Sequence, residues 1–123
     1  MKNYIQQIDL SDLETITAFF GIITFSNDFD LVYEKQIPNT GIILFNGELN
    51  LTKKKNSLSV IAPGALLGVQ NMIDGNPVNF KCSVKKDTSV ILLPKSEIMI
   101  ILRKKNSSLY KILFGASYKE LAS

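Results

Sequence analysis

The sequence predicts a mainly β protein: an antiparallel jelly roll, or double-stranded β-helix, with one N-terminal helix and two C-terminal helices. Short runs of β-forming residues are separated by turn signals about every eight to twelve residues. No long helix interrupts these runs, so the alternation of strand and helix that marks a parallel sheet is missing. We therefore expect residues 1–123 to form a single domain, with a helix at 9–21, a β-roll at 22–93 and helices at 95–121.

The composition limits the possible functions. The chain of 123 residues contains no histidine, which removes imidazole-based catalytic dyads and most zinc sites, and we expect neither catalytic residues nor a metal site. Cys82, the single cysteine, lies among β-formers and is expected to be a buried thiol. The net charge of +3 comes from separate turns, which is typical of a solvated surface and not of a nucleic-acid interface.

The location of the protein is predicted from two missing signals. The sequence has no evident signal peptide, and no run reaches the ~18 apolar residues of a membrane span. These features favour a cytoplasmic protein without membrane contact.

The first predicted helix begins at a capping box and ends at a glycine. Ser11 and Glu14 have the spacing of the box, and Gly21 is placed to stop the helix. After it, residues 22–25 and 31–33 are short β-rich runs separated by a polar turn.

A hairpin is predicted at Asn46-Gly47. An Asn-Gly pair between two β-runs is a strong signal for a tight turn, so we expect residues 42–45 to pair with residues 48–52. Leu49 and Leu51 alternate with polar residues, so one face of the second strand should be buried. A basic turn at 53–56 leads into a further strand at 58–61.

The stretch from residue 62 to residue 80 is the least regular part of the roll. It begins at Pro63-Gly64, and Gly68 precedes what reads as one turn of helix, which is either an anion site or a plain connection. From Val78 to Val84, apolar and polar residues alternate as in a half-buried strand. A turn at 85–87 and an apolar strand at 90–93 follow, and Pro94 stops that strand.

The last thirty residues carry helical periodicity, with a break at Asn106-Ser107. The second helix, predicted from 107 to 121, is apolar on more than one side. Either both sides cover the roll, or one of them is an interaction surface. The residues assigned to this interaction helix are Leu109, Ile112, Leu113, Phe114 and Leu121.

Residues 10–121 resemble the cyclic nucleotide-binding domain family. The landmarks are the strand and glycine turn at 42–47, Pro63-Gly64, Gly68, and the strand at 87–94 that leads into the C-terminal helices. The resemblance implies that residues 62–80 are the phosphate-binding cassette of that family.

In the family, this cassette holds the ligand through a glutamate after the glycine, an arginine at the next strand and a small residue two places later. The corresponding residues here are Val69, Val78 and Phe80, so both charged contacts are missing. The ring of Phe80 could occupy the pocket if it points inward. The candidate ligand-binding positions are Gly68, Val69, Gln70, Asn71, Val78, Asn79 and Phe80.

These observations favour a non-enzymatic regulatory module with weak or absent cyclic AMP and cyclic GMP binding and no cofactor. It would act through its C-terminal helices, on a protein partner or in a homodimer. The alternative is a sensor that binds a cyclic nucleotide or another metabolite inside the roll. An enzyme on the related cupin jelly roll is disfavoured, because such metal sites use histidine. The family's transcription factors carry a helix-turn-helix after the last helix, and we expect no DNA-binding domain in this chain.

Overall fold

The structure is a computed structural model that describes residues 4–115 and 117–120. Within these residues the chain forms ten strands and four helices. They are Tyr4–Gln7 (β1), Leu10–Phe20 (α1), Ile23–Thr24 (β2), Phe29–Val32 (β3), Thr40–Asn46 (β4), Leu49–Lys53 (β5), Asn56–Val60 (β6), Ala65–Leu67 (β7), Val69–Asp74 (α2), Lys81–Val84 (β8), Ser89–Pro94 (β9), Lys95–Arg103 (α3), Ser108–Phe114 (α4) and Ser117–Glu120 (β10).

The described strands form two antiparallel sheets. One has six strands in the order β10-β1-β7-β4-β9-β2, and the other has four in the order β3-β8-β5-β6. Neighbouring strands pair antiparallel in both sheets. The predicted mainly β jelly roll with flanking helices is therefore confirmed.

Two groups of buried side chains lie on opposite faces of the six-stranded sheet. The inner cluster joins both sheets and includes Leu44 and Val90 of the first sheet with Leu49 and Val84 of the second. The outer cluster lies between the six-stranded sheet and the helices, and includes Ile43. Because strands β4 and β9 are covered on both faces, their sequences are almost continuously apolar, whereas β5 and β8 alternate.

The predicted hairpin at Asn46-Gly47 is wrong. Strand β4 pairs with β7 and β9, while β5 pairs with β6 and β8, so the chain passes from one sheet to the other at this point. Thr88 bonds to the backbone at this crossing: its hydroxyl accepts a hydrogen bond from the Glu48 N–H at 3.0 Å and donates to the Glu48 carbonyl at 3.1 Å. A Cβ on Gly47 would lie 2.6 Å from the Thr88 Oγ1. Glycine is therefore required here because Thr88 packs closely on the backbone, and not because the chain makes a two-residue turn.

The tight hairpin lies one connection later in the chain. Lys53 pairs with Asn56 across a two-residue loop, and Lys54 adopts a left-handed φ of 56°. The predicted basic turn at 53–56 and the inward orientation of Leu49 and Leu51 are thus confirmed.

Helix α1 begins without the predicted capping box. Asp9 is the N-cap residue, its side chain makes no capping hydrogen bond, and Ser11 lies inside the helix. Leu13 and Ile16 are buried, whereas Leu10, in the first turn, is exposed. Gly21 ends the helix as predicted, with its N–H bonded to the Thr17 carbonyl.

The C-terminal helices are shorter than predicted. Ser107 caps α4 by accepting a hydrogen bond from the Tyr110 N–H, which confirms the predicted break, but α4 ends at Phe114 with Gly115 as its C-cap residue. The prediction of helix up to residue 121 is therefore wrong for 117–120, which form β10 and pair with β1. Strand β1 pairs with β7 along one edge, and β10 provides hydrogen-bond partners for the backbone groups along the other edge. Leu121 lies outside the described residues.

Strand β1 was not predicted from the sequence. Its pairs are β7 and β10, which lie far from it along the chain. No helix within residues 4–115 is both long enough and apolar enough to cross a membrane.

Candidate functional site

The candidate cassette, residues 62–80, runs from β7 through α2 to the start of β8. Gly68 has a left-handed φ of 84° and directly precedes α2, which confirms the predicted turn of helix. Gly75 ends α2 with a φ of 69°. The helix has only six residues and forms part of the connection between β7 and β8.

Val69, at the position of the family's glutamate, points away from the interior of the roll. Its side chain is 1% exposed and belongs to the outer cluster, under the helices. A Cβ built on Gly41 would clash with the Val69 Cγ2, so the side chain packs directly on the β4 backbone. A charged side chain at this position would have to leave that packing to reach a ligand between the sheets.

Val78 and Phe80 lie in the inner cluster. They are 2% and 8% exposed, and both pack with apolar side chains such as Val32 and Cys82. Two backbone hydrogen bonds hold this end of the cassette: the Val78 N–H donates to the Gln36 carbonyl at 2.9 Å, and the Lys35 N–H donates to the Val78 carbonyl at 2.7 Å. The Phe80 ring is therefore part of the core.

The polar side chains of the cassette bond within their own loop. The Gln70 amide donates to both carboxylate oxygens of Asp74, at 3.0 and 3.1 Å. The Asn71 amide donates to the Pro77 carbonyl at 3.2 Å. Asn79 is half-buried between Val78 and Phe80. The structure thus places Val78, Asn79 and Phe80 together and separates them from the side chain of Val69.

A small cavity lies beside the cassette. Its volume is about 130 Å³, and its wall combines apolar side chains of β3, β4 and β9 with the polar residues Gln36, Asn39 and Thr40. A Cβ on Gly68 would lie 3.5 Å from the Thr40 carbonyl oxygen, so the start of α2 is next to this wall. The space is smaller than the roughly 300–1,000 Å³ of sites for drug-sized ligands.

Cys82 is a structural thiol, as the sequence analysis predicted. The side chain is fully buried in the inner cluster. Burial raises the pKa of the thiol to about 12, with a further contribution from the Asp30 carboxylate. At neutral pH the nucleophilic thiolate is therefore almost absent.

The interaction helix predicted at 107–121 places its apolar residues against the outer cluster. Leu113 is fully buried, and Leu109, Ile112 and Phe114 are half-buried beside it. The rings of Tyr110 and Phe114 lie 5.0 Å apart. These contacts show that much of α4 covers the protein's own core.

A groove that was not predicted from the sequence is formed by α1, β2, α3 and α4. Its volume is about 890 Å³, and Phe19, Ile23 and Ile100 line it while remaining largely exposed. Phe19 and Ile100 each lie beside the buried stripe of their helix. An apolar residue beside the buried stripe was therefore the signal available in the sequence for each helix. That Phe19 and Ile100 line the same groove could not be predicted, because it depends on how the helices pack.

No family model matches the chain, and no curated protein matches it in sequence. Solved structures do match it. One, from work on a cyclic-GMP-dependent signalling pathway that regulates bacterial phytopathogenesis, is 13% identical with a TM-score of 0.70 and covers 89% of this chain and 91% of its own. A cyclic nucleotide-binding domain from Methylobacillus flagellatus is 21% identical with a TM-score of 0.61, over 79% of this chain and 61% of its own.

The Thermus thermophilus catabolite activator protein is also similar, at 13% identity and a TM-score of 0.60. The match covers 78% of this chain and 47% of that protein, so this chain spans about half its length. Identities this low establish the architecture and not the ligand. The strand order, the position of the cassette and these likenesses together lead to one conclusion: the chain has the fold of the cyclic nucleotide-binding domains.

Proposed function

We propose that this protein is a non-enzymatic regulatory module that binds cyclic AMP and cyclic GMP weakly or not at all and acts through contacts of its C-terminal helices. The observation that carries the proposal is the packing of Val78 and Phe80 in the inner cluster. A ligand entering this part of the roll would have to displace core side chains, and it would find no charged partner at either position.

The missing charged contacts account for a large loss of affinity. A charge-assisted hydrogen bond from an arginine to a phosphate, or from a ribose hydroxyl to a carboxylate, contributes about 1.5–3 kcal/mol. Loss of both removes about 3–6 kcal/mol, which is roughly a hundredfold to ten-thousandfold in the dissociation constant. A cyclic nucleotide is also too large for a cavity of about 130 Å³ unless the core opens.

A regulatory role is supported by what similar structures are described as doing. One belongs to work on a cyclic-GMP-dependent signalling pathway, and another is a cyclic nucleotide-binding domain of a kinase regulatory subunit bound to a cyclic AMP analogue. The absence of enzymatic activity is supported by chemistry: the chain has no histidine, and its one thiol is buried and protonated.

Calorimetric titration with cyclic AMP and cyclic GMP tests the proposal. The native protein should give no binding heat at micromolar concentrations. The Val78→Arg/Phe80→Ala variant introduces a cation that could pair with the cyclic phosphate, and it removes the Phe80 ring from the space between the sheets. This variant should gain affinity for the cyclic nucleotides. Phe80→Ala alone is the matched control, since it creates the same space without the charge. Val69 is left unchanged because it packs in the outer cluster.

A micromolar dissociation constant for the native protein would refute weak binding. If the double variant loses its native circular dichroism, the titrations of the native protein and of Phe80→Ala still decide the question.

The second candidate is a sensor for a smaller metabolite, which the cavity beside the cassette favours. At about 130 Å³, with the polar groups of Gln36, Asn39 and Thr40 in its wall, it has room for a ring-sized molecule with a few hydrogen bonds. Phenol is a suitable probe. It should raise the melting temperature of the native protein but not of Leu92→Phe, which fills the cavity. Equal responses of the two proteins would exclude this site.

A further inference from the structure

The four-stranded sheet has two outer strands, β3 and β6, and only one of them is protected against further pairing. Strand β3 carries the charged Asp30, and its register with β8 shifts between Asp30 and Val32. A bulge and a charge are devices that prevent another strand from joining an edge. Strand β6 has neither: its residues, Asn56–Val60, are uncharged, contain no proline and pair with β5 without a register shift. The outer edge of β6 is therefore open to an added strand.

The hydrogen-bond pattern of the β5–β6 hairpin shows which backbone groups face this open edge. Lys53 and Asn56 close a two-residue loop, so they exchange both of their backbone hydrogen bonds. Hydrogen-bonded and non-hydrogen-bonded pairs alternate from there, which leaves Ser57 and Ser59 in non-hydrogen-bonded pairs with β5. The N–H and C=O groups of the two serines therefore point outward. Both serines are exposed, and no other backbone group among residues 4–115 and 117–120 bonds to them.

An added strand would also cover apolar surface at this edge. Leu58 lies between the two serines with its side chain on the inner face, where it packs against the inner cluster but is only partly buried. Val60, two places further on, is buried on the same face. A strand with apolar residues at alternate positions would cover Leu58, and its polar residues would lie beside Ser57 and Ser59 on the solvent face.

The charge at one end of β6 specifies the chemistry of the partner. Lys53, Lys54 and Lys55 lie at the turn before β6, and none of them makes a salt bridge or a side-chain hydrogen bond with another described residue. Lysines at an edge disfavour pairing with a neutral or basic strand. A strand that carries carboxylates at this end is therefore the complementary partner.

A second copy of this chain does not supply those carboxylates. If two β6 strands paired antiparallel, Ser57 would lie opposite Ser59 of the other copy, because the outward backbone groups belong to these residues. The basic turn of each copy would then lie opposite Ile61 and Ala62, which are uncharged. Glu48, directly before β5, already accepts a hydrogen bond from the Ser59 hydroxyl at 3.1 Å.

We propose that β6 binds an extended, acidic segment of another protein as an additional antiparallel strand. The backbone of the segment bonds to Ser57 and Ser59, and its alternate apolar side chains cover Leu58. Carboxylates at its C-terminal end lie beside the basic turn. This surface belongs to the four-stranded sheet, whereas the helices pack on the six-stranded sheet, so the proposal goes beyond the proposed function and does not depend on it.

A synthetic peptide tests the site. The probe has three valines alternating with two threonines, followed by three glutamates, and it is acetylated, amidated and labelled with fluorescein for anisotropy measurements. During titration with the unlabelled peptide, the amides of Ser57 and Ser59 in the 15N-labelled native protein should show saturable shifts. The same peptide with lysines in place of the glutamates should bind at least about tenfold more weakly, because it places like charges beside the basic turn.

Two substitutions of Ser57 separate backbone pairing from side-chain contacts. Ser57→Pro and Ser57→Ala both remove the hydroxyl, but only proline removes the outward N–H. This N–H makes no bond to β5, so the hairpin can form in both variants. Ser57→Pro should bind the peptide at least about tenfold more weakly than Ser57→Ala, which should bind it as the native protein does. Circular dichroism checks the fold.

The charge complementarity has its own matched pair of variants. Lys53→Gln/Lys55→Gln removes two cations at the basic turn, and Lys85→Gln/Lys86→Gln removes two at the opposite end of the sheet, after β8. The first variant should bind the acidic peptide at least about threefold more weakly, whereas the second should bind it nearly as the native protein does.

Three results would overturn the proposal. One is the absence of shifts of the Ser57 and Ser59 amides at about 5 mM peptide. Another is equal affinity within either matched pair of variants. The third is a dimer of the native chain in sedimentation velocity that Ser57→Pro abolishes, because the edge would then bind a second copy. If the proline variant unfolds, the amide shifts of the native protein and the two charge variants still decide.

Discussion

The inner cluster of the roll and the groove on the helices are both apolar, but only one is closed. Phe80 and Val78 of the inner cluster are 8% and 2% exposed, whereas Phe19 and Ile100 of the groove are 66% and 45% exposed. In the inner cluster, the chain's own side chains pack between the two sheets. The interior of the roll is thus closed by the chain's own side chains, whereas the apolar groove on the helices stays exposed.

Truncation of one side chain in each region should give the largest difference. Leu44 is fully buried in the inner cluster, so Leu44→Ala should lower the free energy of unfolding by about 2–5 kcal/mol. Ile100→Ala should change it by less than about 0.5 kcal/mol in the monomer. Urea denaturation at low protein concentration measures both. Similar losses at the two sites would mean that the groove is part of the core.

Alkaline pH should weaken the inner cluster through Cys82. The pKa of the thiol is about 12 in the folded protein and 9.0 in the unfolded chain. As the pH rises above 9, the thiol therefore ionises first in the unfolded chain. The stability that is present below pH 9 is lost as the pH rises toward 12. At pH 10.5 the free energy of unfolding is lower by about 2 kcal/mol than below pH 9. Urea denaturation of Cys82→Val provides the control, because this variant lacks the thiol. Native and variant curves with the same slope between pH 9 and 11 would contradict the closed interior.

A smaller effect is expected where the chain crosses between the sheets. Thr88→Val removes the hydroxyl that bonds to both backbone groups of Glu48, and should cost about 1–3 kcal/mol because the site is fully buried. Thr24→Val is the matched control: its hydroxyl bonds to Ser89 at the exposed surface, and its loss should be nearly neutral. Thermal unfolding distinguishes them, and equal melting temperatures would show that the crossing does not depend on Thr88.

The sequence predicted those parts of the molecule whose determinants are local. The alternation from Val78 to Val84 placed Phe80 on the same face as Cys82, and the structure buries both in the inner cluster, although β8 begins only at Lys81. Gly68 and Ser107 were recognised as helix boundaries for the same reason, since capping depends on neighbouring residues.

The remaining features depend on residues distant in the sequence. Asn46-Gly47 has the local signature of a hairpin, but Thr88 packs on Gly47 and bonds to Glu48, and this tertiary contact overrides the local preference. The pairing of β1 with β10 joins the two ends of the described chain, which no local pattern specifies. The groove likewise requires the packing of α4 against both α1 and α3.

The closed interior of the roll is tested most directly by the amide chemical shifts of the 15N-labelled native protein during titration with cyclic AMP. We predict that the amides of the cassette, among them Gly68, Asn71 and Asn79, keep their positions up to millimolar ligand. Saturable shifts of these amides with a micromolar midpoint would show that the core opens for the nucleotide, and would contradict the account.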